Sequence, residues 1–248
     1  MVRDSKILLL PGMDGSGELF REFVAALPEG LVADTVRYPA DHVVGYAELE
    51  ALVWAAMPTG EPFVLVAESY STPLAIQIAA TLPEGLRGLV LCAGFATSPV
   101  KGLLQDLIAM LPLTTLRLAF PTFVVRRFLV GNDAPEALVR DVVSEIGWVE
   151  PEVLAARARE MLLCNVRAEL ARVQVPIRYL RPAEDRLVSL ECLEEILRIQ
   201  LGTAVTTIDG PHMLLQREPT LCAEMVAEFV SGLESRGSDA WDGVAAKA

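Results

Sequence analysis

A chain of 248 residues, 52% of them hydrophobic, is long enough to bury a substantial core in one layered domain. Its formal net charge of -12 argues against a nucleic-acid or anionic-membrane surface, since both recruit Lys and Arg to neutralise phosphate. The four cysteines, Cys92, Cys164, Cys192 and Cys222, form no CxxC pair and no metal-ligand spacing with a histidine, so the sequence predicts reduced core thiols and neither a metal nor a cofactor. The apolar run 7–10 stops at Pro11, too short for a signal-peptide core, and the longest apolar region, 103–130, is broken by Asp106, Pro112, Arg117, Pro121, Arg126 and Arg127. The expectation is a cytoplasmic protein with no membrane span.

Short β-rich apolar runs alternate with helical patterns, the signature of an α/β fold whose mainly parallel sheet carries helices on both faces. The first run, 6–10, gives way to PGMDGSG; the second, 32–38, to PADH; the third, 63–67, to ESYS. A helix follows, with Leu74, Ala75, Ile78, Ala79 and Leu82 at helical spacing. The fourth run, 86–92, ends in AGFATSP, the fifth, 177–180, in RPAED, and the sixth, 204–208, in DGPH. Polar loops therefore collect at the carboxyl ends of six strands, the edge where sites form in an open parallel sheet. Between the fourth and fifth runs lie roughly 80 residues, 96–175, where an ordinary crossover needs far fewer. This stretch, rich in Leu, Val and Phe and punctuated by prolines, reads as a helical lid inserted after the fourth strand. The core is then 1–95 with 176–234, and 235–248 reads as a flexible tail.

The segment FVLVAESYSTPLAIQIAA, 63–80, places Ser69 at a sharp strand-to-helix turn, which exposes a hydroxyl and leaves helix N–H groups beside it. Such a turn admits only small residues two positions either side of the serine, and Ala67 and Ser71 meet that in size, though neither is glycine. Pro73 suits the first helical turn, where the first N–H groups have no partner. Ser69 as a helix cap is the plainer alternative, and Glu68, pointing away from its neighbour, reads as structural. Of the two histidines, His212 in IDGPHMLLQREP follows the last strand and is the candidate base, while His42 in YPADH reads as a surface loop residue. Asp185, after the fifth strand, can orient that histidine, with Glu184 and Asp209 as competitors. The glycine-rich LLLPGMDGSGELF turn can offer unpaired amides, so the backbone N–H groups of Met13 and Tyr70 are the candidate oxyanion donors, with Asp14 the alternative to Met13. Gly12, Gly15 and Gly17 fit neither a dinucleotide fingerprint nor a P-loop.

From LLLPG through VAESYS and RPAEDRLV to DGPHMLLQ, the chain resembles the α/β-hydrolase superfamily, whose order of nucleophile, acid and histidine it shares. The resemblance implies strands lying in space as second, first, third, fourth, fifth and sixth, with a cap at 96–175. It departs from the family at Ala67 and Ser71, and at Pro11, where many members have histidine. What it implies for activity is a serine hydrolase of carboxylesterase type, cleaving a small or medium acyl ester through Ser69, His212 and Asp185 with an acyl-enzyme intermediate. A thioesterase, a C–C bond hydrolase, or a binding protein that holds a small ligand without turnover stand as alternatives on the same fold. The partner expected is a small-molecule acyl substrate.

Overall fold

The computed structural model describes residues 5–100 and 121–245, and side chains as far as residue 235. Six strands, β1 (Ser5–Leu10), β2 (Leu31–Thr35), β3 (Phe63–Glu68), β4 (Leu86–Cys92), β5 (Ile177–Pro182) and β6 (Ala204–Ile208), form one sheet in the order β2-β1-β3-β4-β5-β6. Every pairing in it is parallel. Among the described residues, besides the one-turn helix Thr122–Val124 and the 3-10 and π turns, the helices are α1 (Arg21–Ala25), α2 (Tyr46–Ala56), α3 (Thr72–Ala79), α4 (Glu136–Gly147), α5 (Pro151–Leu163), α6 (Arg167–Leu170), α7 (Leu190–Ile199), α8 (Leu214–Arg217) and α9 (Pro219–Ala245).

The central strands are apolar at nearly every position because helices cover both faces of the sheet. β3 is buried along its whole length. Neighbouring residues divide between the faces: Leu8, Leu65, Leu89 and Leu91 pack with side chains from α2, α3 and α7, and Ile7, Leu9, Val64, Val66 and Val90 pack with Phe23 of α1 and with Cys222, Val226 and Phe229 of α9. Each such leucine removed from water contributes about 1.5–3 kcal/mol. The edge strands β2 and β6 leave several positions exposed, as strands with one neighbour do.

The second strand is shorter than its apolar run, ending at Thr35 instead of Tyr38. Val36 N–H still donates to Leu9 O at 3.0 Å, but Tyr38 N–H turns to Gly15 O at 2.8 Å, so the chain leaves the sheet to close over the turn after β1. That turn needs its glycines: Gly15 and Gly17 sit at φ +72° and +74°, and a Cβ on Gly17 would lie 2.3 Å from Thr35 Cγ2.

Between β4 and β5 the described chain is helical, with a π-helical turn at Val125–Val130 followed by α4, α5 and α6. Its apolar faces pack on the core, where Val125, Leu129, Val139 and Val142 meet Leu19 and Met213. Backbone bonds from Glu150 N–H to Ala40 O and from Val166 N–H to Ala96 O, each 2.8 Å, fasten it to the sheet's carboxyl edge. The apolar residues Leu103, Leu104, Leu107, Ile108 and Met110 lie outside the described residues. The segment from 235 begins inside α9, whose backbone continues to Ala245. Among the described residues no helix is long and apolar enough to cross a membrane.

Candidate active site

β3 ends at Glu68, one 3-10 turn covers Ser69–Ser71, and α3 starts at Thr72 with Pro73 in its first turn. Ser69 is held at φ +47°, a left-handed backbone that costs a non-glycine residue about 1–3 kcal/mol. Bonds on both sides sustain it. Thr72 Oγ1 donates to Ser69 O at 2.7 Å and accepts from Phe95 N–H at 3.1 Å, tying the turn to the end of β4. Ser71 Oγ donates to Pro11 O and accepts from Tyr38 O–H, whose oxygen lies 2.6 Å away. Ser71 therefore does more than keep a position small. Its hydroxyl joins the Ser69 turn to the loop after β1, a role that residue size alone did not reveal.

Ser69 Oγ lies 2.8 Å from His212 Nε2, and His212 Nδ1 lies 2.9 Å from Asp185 Oδ2. A carboxylate can only accept, so Nδ1 carries the proton and Nε2 is free to accept from the serine hydroxyl. Ser69 thus bonds to the histidine and caps no helix. Asp185 Oδ1 also accepts from the N–H groups of Leu187 and Val188 at 2.8 and 2.9 Å, fixing the carboxylate at the start of its loop. Burial pushes the Asp185 carboxyl up, but the His212 charge and these N–H donors more than offset it and leave it below the ordinary range. Burial likewise disfavours charge on His212, and the Asp185 carboxylate outweighs it, so the imidazole is held above its ordinary value. Of the competing acids, Glu184 donates its N–H to Gly210 O, and among the described residues neither its carboxylate nor that of Asp209 bonds to His212. His42 is exposed and paired with Asp41 at 2.7 Å.

The loop after β1 brings Met13 and Asp14 beside Ser69. Gly15 N–H donates to Gly12 O at 3.1 Å, and Asp14 Oδ2 accepts from Ser16 N–H and Oγ at 2.9 and 2.8 Å, an Asx turn that stiffens the loop. Among the described residues nothing accepts from the N–H of Met13 or Asp14. Tyr70 N–H, second in the 3-10 turn, stands at a position without an intrahelical acceptor. The carbonyls of Met13, Asp14 and Pro39 all accept from Arg157 of α5, a wholly buried side chain. Arg157 was silent in the sequence. Its signal is a charge inside the apolar stripe Val153, Leu154, Ala158 and Met161, where burial is costly unless acceptors meet the charge.

A cavity of about 360 Å³ lies between this edge of the sheet and the helical insertion. Met13, Asp14, Ser69 and His212 line one side, and apolar side chains that include Leu129, Ile146, Leu154, Met161, Leu162 and Val188 line much of the rest. Glu68 also borders the cavity. Its carboxyl accepts from Gln216 Nε2 at 3.1 Å, while Oε1 has no partner among the described residues. Burial pushes this carboxyl up to about 7, against the smaller opposing effects of Gln216 and His212.

A model of the alpha/beta hydrolase family matches residues 7–225. The chain is 27% identical over 179 residues to a pyrrolizixenacetamide deacetylase of Xenorhabdus hominickii, a match covering 67% of this chain and 65% of that protein's length. Among solved structures, it is similar to the enol-lactonase from Burkholderia xenovorans LB400, with a TM-score of 0.76, 14% identity and 92% of each chain covered. A lipase-esterase related protein from Clostridium acetobutylicum ATCC 824 gives a TM-score of 0.74 at 15% identity, over 92% of this chain and 95% of the other. With the strand order and the placement of Ser69 after β3, the family match over most of its length makes this chain a member of the alpha/beta hydrolase family.

Proposed function

We propose that the protein is a serine hydrolase that cleaves small or medium apolar acyl esters through an acyl-enzyme intermediate. The observation that carries this reading is Ser69 at φ +47° with its Oγ 2.8 Å from His212 Nε2. Ser69 Oγ attacks the carbonyl carbon as His212 takes its proton, and Asp185 steadies the imidazolium. The carbonyl oxygen, now negative, accepts from the N–H groups of Met13 and Tyr70. His212 returns the proton to the leaving alcohol. Water, deprotonated by His212, then releases the acid and restores Ser69. Each proton moves among Ser69, His212, substrate and water, so the route calls for no cofactor.

The cavity supports an apolar acyl group, because about 360 Å³ lies in the range of small-molecule sites and, among the described residues, its far walls carry only apolar side chains. The helical insertion supplies Leu129, Ile146, Leu154, Met161 and Leu162 to those walls and acts as the lid of the site. The likeness to a deacetylase favours a second reading in which an acyl amide is cleaved on the same groups, with His212 protonating a leaving amine. Ester and anilide derivatives of the same short acid distinguish the two.

The test is labelling with a fluorophosphonate probe. Wild type should take one label at Ser69, and Ser69→Ala none. A folded wild type that stays unlabelled, or a mutant that labels equally, overturns the assignment.

A further inference from the structure

Arg157 and Glu160 stand one turn apart on α5, and each grips a different loop of the site. Arg157 Nη1 donates to Met13 O at 2.7 Å and Asp14 O at 3.1 Å, and Nη2 donates to Pro39 O at 2.7 Å. Glu160 Oε2 accepts from Tyr70 O–H at 2.7 Å, and Oε1 accepts from Tyr46 N–H at 2.8 Å. Tyr46 closes this second clamp, stacking on the Tyr70 ring at 5.0 Å and donating its hydroxyl to Tyr70 O at 2.7 Å. We propose that α5 sets the aim of both oxyanion donors, with Arg157 and Glu160 as positioning residues for the N–H groups of Met13 and Tyr70. This rests on the oxyanion assignment above.

The physical reason lies in the planar trans peptide, whose C=O and N–H point in opposite directions. Three successive carbonyls of the loop are engaged: Gly12 O by Gly15 N–H, and Met13 O and Asp14 O by Arg157. Fixing Gly12 O fixes the Met13 N–H on the far side of the same plane, and fixing the next two carbonyls stops the loop from rotating that plane. Preorganised donors stabilise a developing oxyanion because they need no reorientation during reaction. Arg157 is not available to substrate. It is wholly buried, both of its terminal nitrogens are committed to carbonyls, and a Cβ on Gly15 would stand only 2.8 Å from Nη1. A buried guanidinium to which no carboxylate bonds among the described residues is costly, and carbonyl oxygens from two loops offset that cost at Nη1 and Nη2, while Nε has no partner among the described residues. Glu160 acts similarly on the other donor, since Tyr70 is held through its hydroxyl, ring and carbonyl while among the described residues nothing accepts from its N–H.

The test uses the full chain and the fluorophosphonate probe, separating the limiting rate of Ser69 phosphonylation from the probe concentration giving half that rate. Arg157→Met keeps the bulk and removes the donors. It should lower the limiting rate about 10²-fold with little change in half-saturation, as loss of an oxyanion donor does. Arg157→Lys should recover part of that loss, because an ammonium reaches some of the same carbonyls. Glu160→Ala should lower the limiting rate too, and Glu160→Gln should recover it by offering Tyr70 an amide oxygen. If Arg157→Met fails to fold, Tyr70→Phe carries the test, with an expected loss of about 10-fold, one hydrogen bond's worth. A wild-type limiting rate in Arg157→Met and Tyr70→Phe, or a loss confined to half-saturation, overturns the proposal while leaving Ser69 in place. A wild type that takes no label removes the Ser69 reading and this proposal with it.

Discussion

Glu68 is a carboxyl whose protonation bears on stability. Its ordinary value of 4.5 applies in the unfolded chain, and burial raises it to about 7 in the fold. The native state therefore keeps a proton that the unfolded chain has released, and the stability this group contributes is complete below 4.5 and lost as pH rises through 7. Urea denaturation of Glu68→Gln against wild type should show that slope removed, a relative gain of about 3 kcal/mol for the variant between the two ends of the window. Asp185, on the proposed function, should act on rate instead. Asp185→Asn should fold, yet acylate about 10⁴-fold more slowly, because the histidine loses what fixes its tautomer. Since Asp185 also holds His212 above its ordinary value, wild-type activity should rise with pH along a limb lying above 6.5, and that limb should move down in the variant. Asp209→Asn should leave the rate little changed, and a larger effect than at Asp185 would show that the wrong acid has been named.

At the scale of elements, the loop after β1 concentrates strain where the site needs shape. Gly15→Ala places a Cβ 2.8 Å from Arg157 Nη1 and 2.9 Å from Tyr38 Cβ at a left-handed φ. It should cost about 1–3 kcal/mol in denaturant unfolding and slow acylation as the loop carbonyls shift. The strands were legible because central parallel strands are apolar throughout and polar residues mark their ends. β4 and β6 coincide with their apolar runs, and β2 fell short only because Tyr38 was drawn off by Gly15 O. The residues brought together at Ser69 were legible for a similar reason, since each follows a strand end and histidines are few. Arg157, Glu160 and Tyr46 were not. The bonds of Arg157 and Glu160 span 90 to 144 residues and the Tyr46 hydroxyl reaches Tyr70 across 24, and no local pattern records such contacts.

Over the whole molecule, the charge of -12 leaves little to attract a polyanion. The protein should pass through a heparin column at physiological salt and bind an anion exchanger; retention on heparin would contradict this. The sheet's connectivity has a consequence for how the chain acquires its site. Ser5 pairs with Leu31 and Lys6 with Phe63, but Leu89 must find Ile177 across the entire helical insertion. Closing a longer loop costs more entropy before any contact rewards it, and contacts distant in sequence slow folding. The half built on β1 to β4 is therefore expected to gain amide protection first in pulsed hydrogen exchange, with β5 and β6 docking later. Ser69 belongs to the early half and both Asp185 and His212 to the late one. A nascent or half-refolded chain thus carries Ser69 before Asp185 and His212 stand beside it, and on the proposed function the onset of probe labelling during refolding should time the last docking event.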